Sequence, residues 1–214
     1  MNNVLIVSGG SFDTDRMGEY LKGNKYDYII AADSGGEYAA SLGLKTDLLL
    51  GDFDSISVEA FEELKLGGCR IREFDSEKDE TDFDIALKEA IALKPEKITI
   101  VGATGTRLDH TMTTFFCMMK VLDTGIECEI IDSHNRIYLK NKDFSIEKKK
   151  QYGDYISLVP VTKDVTLSIS GMKYNLDNKR VQRGESLCQS NEIVEDVADI
   201  RVSGGVVAVF ESMD

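Results

Sequence analysis

The stretch Leu48-Leu49-Leu50-Gly51-Asp52-Phe53-Asp54-Ser55 joins a short apolar run to a glycine and two aspartates. Three consecutive leucines predict a buried strand that ends at the glycine. In an extended chain, residues two positions apart project to the same side. The carboxylates of Asp52 and Asp54 can therefore face one point just beyond the end of this strand.

The pair formed by Asp52 and Asp54 is electrostatically unfavourable in a chain whose formal net charge is −13. At about 5 Å and an effective dielectric constant of about 20, the repulsion between two carboxylates is roughly 3 kcal/mol. A cation between them would offset this repulsion, and hard oxygen ligands are those that Mg²⁺ prefers. The pair therefore predicts a magnesium site, and the alternative is that both aspartates are solvated turn residues.

Three other apolar runs also end in small or acidic residues. The turns that follow them contain Ser8, Gly9 and Gly10 after residues 4–7, Asp33, Ser34 and Gly35 after residues 28–32, and Gly102, Thr104 and Gly105 after residues 98–101. Helical patterns, such as residues 56–66 and 83–91, lie between the runs. This alternation predicts an α/β N-terminal domain with a mostly parallel open sheet.

The turns after parallel strands meet at one edge of such a sheet, where ligands bind. Glycines in these turns would let backbone N–H groups approach phosphate oxygens closely, and helix N-termini would add favourable dipoles. We therefore expect the strand-end turns to form one nucleotide-binding crevice.

The pattern changes near residue 134. From there, short alternating apolar segments separated by polar turns run to the C-terminus, and no helical period of useful length is present. The pattern predicts a small all-β sandwich domain over residues 134–214, following an α/β domain over residues 1–133.

Composition excludes several classes of function. The acidic balance argues against a general nucleic-acid binder, which needs a basic stripe for phosphates. No apolar run reaches the length of a membrane span, and the first strand begins almost at Met1, without a visible signal peptide. The four cysteines show no metal-ligand spacing, so we expect free thiols and a cytoplasmic protein.

An unusual number of carboxylates surrounds the predicted start of a helix that runs to about Leu93. They are Asp75, Glu77, Asp79, Glu80, Asp82 and Asp84. Asp79 is placed to be the N-cap, and Asp82 in the first turn suits the helix dipole. Capping alone would explain these two residues, but the crowding indicates that some of the carboxylates face a metal or a base.

The segment Gly102–His110 predicts a strand-to-helix turn that carries an arginine and an aspartate. It contains neither a P-loop nor a dinucleotide-binding fingerprint. Arg107 can neutralise a phosphate with two hydrogen bonds. Asp109 either caps the following helix or accepts a hydrogen bond from a substrate.

Two polar segments of the second domain, 168–176 and 190–191, are typical of hairpin turns when judged from their residues alone. Together with three earlier segments, however, they resemble the thiamine pyrophosphokinase family. The five segments, in order, are 51–55, 78–83, 102–109, 171–176 and 190–191. The resemblance spans nearly the whole chain, including the change to an all-β second domain.

The resemblance implies transfer of a pyrophosphoryl group from ATP to the hydroxyl of thiamine, with Mg²⁺, giving thiamine diphosphate and AMP. It also implies a homodimer that holds thiamine between its subunits, with residues 134–214 binding thiamine and forming the dimer. Lys78 and Tyr174 stand where members of the family often carry glutamine and tryptophan.

The resemblance also implies roles for individual residues. Asp52, Asp54 and Asp82 would bind the metal and, with Arg107 and Asp109, form the catalytic set. The nucleotide-binding set would be Ser8, Gly9, Gly10, Asp33, Ser34, Gly35, Lys78, Asp79, Thr81, Gly102, Thr104 and Gly105. Thiamine would be bound by Ser168, Tyr174, Ser190 and Asn191.

Two other functions are compatible with the same residues. One is a diphosphokinase for another hydroxymethyl heterocycle, such as a pterin. The other is a non-catalytic sensor of nucleotide or thiamine, against which the clustered carboxylates and Arg107 argue, because binding alone would not require them.

Overall fold

A computed structural model describes residues 1–75 and 79–214 of the chain. It divides into two compact units, Met1–Ser133 and His134–Asp214. Within the described residues, no helix is long and apolar enough to cross a membrane.

The first unit alternates strands with helices. Its strands are β1 (Asn3–Val7), β2 (Tyr28–Ala32), β3 (Leu48–Gly51), β4 (Arg70–Glu73), β5 (Lys97–Val101) and β6 (Glu127–Ile131). Its helices are α1 (Thr14–Lys22), α2 (Gly35–Ser41), α3 (Val58–Leu66), α4 (Asp82–Ala92), α5 (Leu108–Cys117) and α6 (Met119–Leu122).

The six strands of this unit lie in the order β4-β3-β2-β1-β5-β6, and all neighbouring pairs are parallel. The predicted N-terminal α/β fold with a mostly parallel sheet is confirmed. The apolar runs form its core, and Val4 to Val7 in β1 are fully buried. The strand order reverses between β1 and β5, which is where ligands bind in sheets of this class.

Two predicted helix starts were wrong. Helix α3 begins at Val58 rather than Ile56, because Ser57 caps it by accepting a hydrogen bond from Ala60 N at 3.2 Å. Helix α4 is capped by Thr81 rather than Asp79. The hydroxyl of Thr81 accepts a hydrogen bond from Asp84 N at 3.2 Å, so the cap lies directly before Asp82.

The second unit is an antiparallel β-sandwich, as predicted. Its strands are β7 (Asn135–Lys140), β8 (Phe144–Glu147), β9 (Tyr155–Pro160), β10 (Asp164–Ser170), β11 (Leu176–Gln182), β12 (Val197–Ser203) and β13 (Val207–Ser212). Strand β13 pairs with β7 and β9, and the other four strands have the order β11-β10-β12-β8. The inward side chains of both groups, such as Leu158, Leu167 and Val209, form one core.

Candidate active site

A cavity of about 630 Å³ lies at the carboxyl ends of β1, β2 and β5. The residues predicted from the sequence that line it are Ser8, Gly9, Gly10, Asp33, Ser34, Thr81, Asp82, Gly102, Thr104, Gly105, Arg107 and Asp109. Turns that are distant in sequence therefore meet in one crevice at the reversal of strand order.

The turns after β1 and β5 are hydrogen-bonded to each other. Gly10 N donates a hydrogen bond to Gly102 O, and Ser11 N donates one to Thr104 O, both at 2.7 Å. A Cβ atom at Gly10 would lie 2.4 Å from the same two carbonyl oxygens. The interpretation that all these glycines expose N–H groups to phosphate therefore needs correction, because Gly10 is required for contact between the two turns.

Three carboxylates form a group beside this crevice. Asp33, Asp52 and Asp54 each offer an oxygen, and the three oxygens lie within 4.8 Å of one another. Strands β2 and β3 are neighbours with Ala32 opposite Leu50, so the residues that follow them are brought together. The pairing of Asp52 with Asp54 was predicted, whereas the closeness of Asp33 follows from the strand order.

The two aspartates after β3 are brought together by a turn, not by the extended chain that the sequence pattern indicated. Phe53 between them has a left-handed backbone with φ of 61°, which costs about 1–2 kcal/mol for a residue with a Cβ atom. Its ring packs against Phe61 with centroids 5.3 Å apart. Asp54 N also donates to Asp52 Oδ1 at 3.3 Å, so Asp52 serves both the turn and the carboxylate group.

The pKa of Asp33 reflects both its burial and the repulsion between the carboxylates. Burial raises the pKa of its carboxyl group, and the charges of Asp82, Asp52 and Asp54 raise it further, against a hydrogen bond from Ser34 N that lowers it. Its Oδ1 atom is buried without a hydrogen-bond partner among residues 1–75 and 79–214. A buried oxygen of this kind in a cluster of acids suits a hard cation, so the donor set fits Mg²⁺.

The start of α4 completes the acidic side of the crevice. Asp82 lies in the first turn and in the cavity wall, and its charge acts on Asp33. It is not a member of the group of three oxygens described above. Asp79 is exposed in the bend before the helix, and Lys78 lies outside the described residues.

Arg107 and Asp109 form an exposed ion pair in the lining of the cavity. Arg107 Nη2 lies 2.6 Å from Asp109 Oδ2, and its Nε lies 3.3 Å from Oδ1. The pKa of Asp109 is lowered by this hydrogen bonding, and that of Arg107 is raised by it. Arg107 is the residue that precedes α5, so Asp109 lies in the first turn rather than at the cap.

Tyr38 is a cavity residue that the sequence reasoning missed. Its hydroxyl donates to Gly10 O at 3.0 Å, and its ring stacks on Phe12 with centroids 4.6 Å apart. The residue lies on the short helix α2, whose sequence resembles that of an ordinary packing helix. Its position on the crevice depends on the contact between α2 and the turn after β1.

The residues expected to bind thiamine fall into two places in the second unit. Tyr174, Ser190 and Asn191 are close together, since Asn191 Nδ2 donates to Tyr174 O at 2.8 Å. Ser168 lies on β10, where its hydroxyl accepts a hydrogen bond from Asn178 N at 2.9 Å. It lines another cavity, of about 620 Å³, together with residues of β8 and β12.

Comparisons with known proteins identify the family. A model described as thiamin pyrophosphokinase, catalytic domain, matches residues 21–130, and one described as thiamin pyrophosphokinase, vitamin B1 binding domain, matches residues 143–207. The chain belongs to the thiamine pyrophosphokinase family. A thiamine pyrophosphokinase of Bacillus subtilis (strain 168) is 31% identical over 218 residues, which cover 100% of both chains.

Solved structures of thiamine pyrophosphokinases share both the α/β and the all-β part. The crystal structure of the enzyme from Bacillus subtilis has a TM-score of 0.90 at 28% identity and covers 100% of both chains. That from Geobacillus thermodenitrificans has a TM-score of 0.83 at 28% identity, covering 99% of this chain and 98% of that one. The resemblance seen in the five sequence segments is thus confirmed for the thiamine pyrophosphokinase family.

Proposed function

We infer that this chain is a thiamine diphosphokinase. It transfers a pyrophosphoryl group from ATP to the hydroxyl of thiamine, giving thiamine diphosphate and AMP. The observation that carries this conclusion is the match of the catalytic and vitamin B1-binding family models to successive parts of one chain. The comparisons lend no support to a pterin diphosphokinase or to a non-catalytic sensor.

Magnesium would be held by the carboxylates beside the crevice. We propose Asp52 and Asp54 as ligands, with Asp33 as a third, on the basis of their convergent oxygens. Asp82, which faces the same crevice, is proposed as a further ligand. When bound, the ion would neutralise phosphate charge and stabilise the negative charge that develops on the leaving AMP.

The reaction that fits this site is in-line displacement at the β-phosphorus of ATP. A bond forms between the thiamine hydroxyl oxygen and the β-phosphorus. The bond between that phosphorus and the oxygen shared with the α-phosphorus breaks, so this oxygen leaves with AMP. The hydroxyl proton passes to solvent water during the same displacement.

Arg107 and Asp109 are proposed to act together on the phosphates. The guanidinium group can give two parallel hydrogen bonds to phosphate oxygens. Because Arg107 lowers the pKa of Asp109, this carboxylate is a weak proton acceptor at neutral pH. We therefore assign Asp109 the orientation of Arg107 and the substrate rather than proton abstraction.

The remaining turns are proposed to bound the nucleotide. The residues are Ser8, Gly9, Gly10, Asp33, Ser34, Gly35, Thr81, Gly102, Thr104 and Gly105, with Lys78 and Asp79 before α4. The turns after β1 and β5 are hydrogen-bonded to each other and both line the crevice, which supports this placement. Gly35 would contribute through its backbone, since it is buried against Val7 O.

In the second unit, Ser168, Tyr174 and Ser190 are proposed to contact thiamine. The exposed ring of Tyr174 can stack on the vitamin and attract its cationic thiazolium ring, which is worth about 0.5–2 kcal/mol. A homodimer is proposed because the family resemblance implies thiamine held between subunits, and a cytoplasmic location is proposed with it. Light scattering of an active sample at micromolar concentration should give a dimer mass, and a monomer mass would contradict a shared site.

A product assay tests the proposed function. The protein is incubated with ATP, Mg²⁺ and either thiamine or a hydroxymethylpterin, and the nucleotide product is identified. AMP should form with thiamine and not with the pterin. AMP formed only with the pterin would favour the other diphosphokinase, and no turnover with either would favour the sensor.

A further inference from the structure

Tyr174 lies on a turn between β10 and β11, and the residue is 61% exposed. An exposed aromatic side chain would by itself be mobile on such a turn. The neighbouring Asn191, in contrast, is only 5% exposed, although its side chain is polar. A buried amide of this kind is expected to be hydrogen-bonded, and its bonds determine what it does.

The amide of Asn191 holds both backbone polar groups of Tyr174. Tyr174 N donates to Asn191 Oδ1 at 3.0 Å, and Asn191 Nδ2 donates to Tyr174 O at 2.8 Å. Glu192 N donates to the same Oδ1 at 3.0 Å. Both acceptor positions of the amide oxygen are thereby used, which leaves it unable to accept a further bond from a ligand.

Asn191 is itself anchored to the body of the sandwich. Its N–H donates to Ile156 O at 3.0 Å, and Ile156 N donates to Asn191 O at 2.8 Å. Ile156 is fully buried in β9. The side chain of Asn191 thus joins the backbone of Tyr174 to the core, next to a hydrogen bond from Lys173 N to Glu192 O at 2.9 Å.

The charges near the Tyr174 ring are compatible with a cationic partner. Lys173 Nζ lies 5.9 Å from the ring centroid, and it forms an ion pair with Glu192 at 2.6 Å. Glu192 therefore offsets the charge of the lysine. A thiazolium ring approaching Tyr174 would meet a neutralised pair rather than an isolated positive charge.

We propose that Asn191 is a positioning residue that fixes the backbone of Tyr174, and hence its ring, for thiamine, without contacting thiamine itself. This inference rests on the proposed function, from which the substrate is taken. It assigns Asn191 a role different from direct substrate binding, whereas Ser190 keeps its proposed contact with thiamine. The contribution of Asn191 to thiamine affinity should therefore pass entirely through Tyr174.

A double-mutant cycle tests this role. Asn191→Ala should raise the KM for thiamine about five-fold or more and leave the KM for ATP within two-fold, because only the ring is displaced. In a Tyr174→Ala background, the same Asn191→Ala change should have no further effect on the KM for thiamine. Thermal melts of each variant establish that the protein is folded.

Two further variants keep the test decisive. Asn191→Asp retains the acceptor for Tyr174 N but loses the donor to Tyr174 O, so it should raise the KM for thiamine even if Asn191→Ala does not fold. Thr162→Val is the control, because Thr162 also links two backbone groups, donating to Asp164 O and accepting from Val206 N, each at 3.0 Å. It should lower stability without changing the KM for thiamine.

The possible outcomes distinguish a positioning role of Asn191 from direct contact with thiamine. Effects of Asn191→Ala and Tyr174→Ala that multiply would mean that Asn191 contacts thiamine directly, and would overturn the proposal. So would an unchanged KM in both Asn191 variants. Calorimetric titration with thiamine separates failure of this proposal from failure of the proposed function. If the thiamine affinities of the four proteins follow the same double-mutant cycle but no AMP forms, the positioning role is supported and only the activity is refuted.

Discussion

A carboxylate oxygen of Asp33 lies within 4.8 Å of one from Asp52, although the two residues follow different strands of the sheet. The pairing of β2 with β3 produces this contact, and Asp54 joins it through the turn at Phe53. The group follows β2 and β3 at the same carboxyl edge of the sheet as the crevice, and Asp33 itself lines the crevice. Its oxygens are therefore available to an ion that also binds phosphates in the crevice.

Replacing Asp52 or Asp54 with asparagine should reduce turnover by orders of magnitude while the protein remains folded. Each change would remove a charged group proposed to bind Mg²⁺ but leaves a side chain that can form the same turn. The measurement is kcat as a function of Mg²⁺ concentration. Asp15→Asn, the same change at an exposed position in the first turn of α1, is the control. Near-normal activity of the variants at limiting Mg²⁺ would show that both aspartates are turn residues.

Asp33→Asn should raise the melting temperature of the metal-free protein at neutral pH. The pKa of Asp33 is raised in the folded state, so its contribution to stability is present below the unfolded pKa and is lost as the pH rises through the folded pKa. The charged carboxylate therefore lowers stability at higher pH, and the neutral amide of asparagine avoids this cost. Each kcal/mol recovered corresponds to about 2–4 °C in a chain of this size.

Thermal melts in a chelator at pH 7 and pH 4 check this expectation. The difference in melting temperature between Asp33→Asn and the unsubstituted protein should be smaller at pH 4, where more of the Asp33 carboxyl group is neutral. An equal advantage at both pH values, or a loss of stability at pH 7, would contradict the electrostatic explanation.

Arg107→Ala should lower kcat/KM for ATP by about 10²-fold or more, as expected for loss of a group that stabilises transition-state charge. Arg107→Lys should restore only part of it, because an ammonium group cannot give two parallel hydrogen bonds. Arg180→Ala is the matched control, since Arg180 pairs with Asp164 at 2.6 Å on an exposed surface of the second unit. Steady-state kinetics with varied ATP would refute the role of Arg107 if both alanine variants behaved alike.

Gly10→Ala should destabilise the protein by about 1–3 kcal/mol, the usual cost of overpacking. Its Cβ atom would lie 2.4 Å from Gly102 O and Thr104 O, so the two turns would have to separate. Gly23→Ala is the control, because Gly23 has a φ of −75° and a Cβ there would meet nothing closer than 3.5 Å. Chemical denaturation should show a loss only for Gly10→Ala, and equal effects would remove the argument for contact between the turns.

The parts of the fold that were predictable are those that bury continuous apolar runs. Strands β1, β2, β3 and β5 were evident for this reason. Strands β4 and β11 were missed because they lie at sheet edges and most of their side chains are exposed. In β11 only Val181 is buried, so no alternating pattern is present in the sequence.

The candidate site was predictable to a similar extent. Acids and glycines after apolar runs indicated the crevice, since parallel strands end at one edge of the sheet. The closeness of Asp33 to Asp52 depends on which strands are neighbours, and the hydrogen bonds between Tyr174 and Asn191 join two turns. Neither relationship has a local signal in the sequence.

The fate of the ATP phosphates tests the central claim most directly. The protein is incubated with thiamine, Mg²⁺ and ATP labelled either at the α-phosphorus or at the γ-phosphorus, and the products are separated. Attack at the β-phosphorus predicts that the γ label appears in thiamine diphosphate and the α label in AMP. A γ label in thiamine monophosphate, together with an α label in ADP, would mean ordinary phosphoryl transfer and would contradict the account.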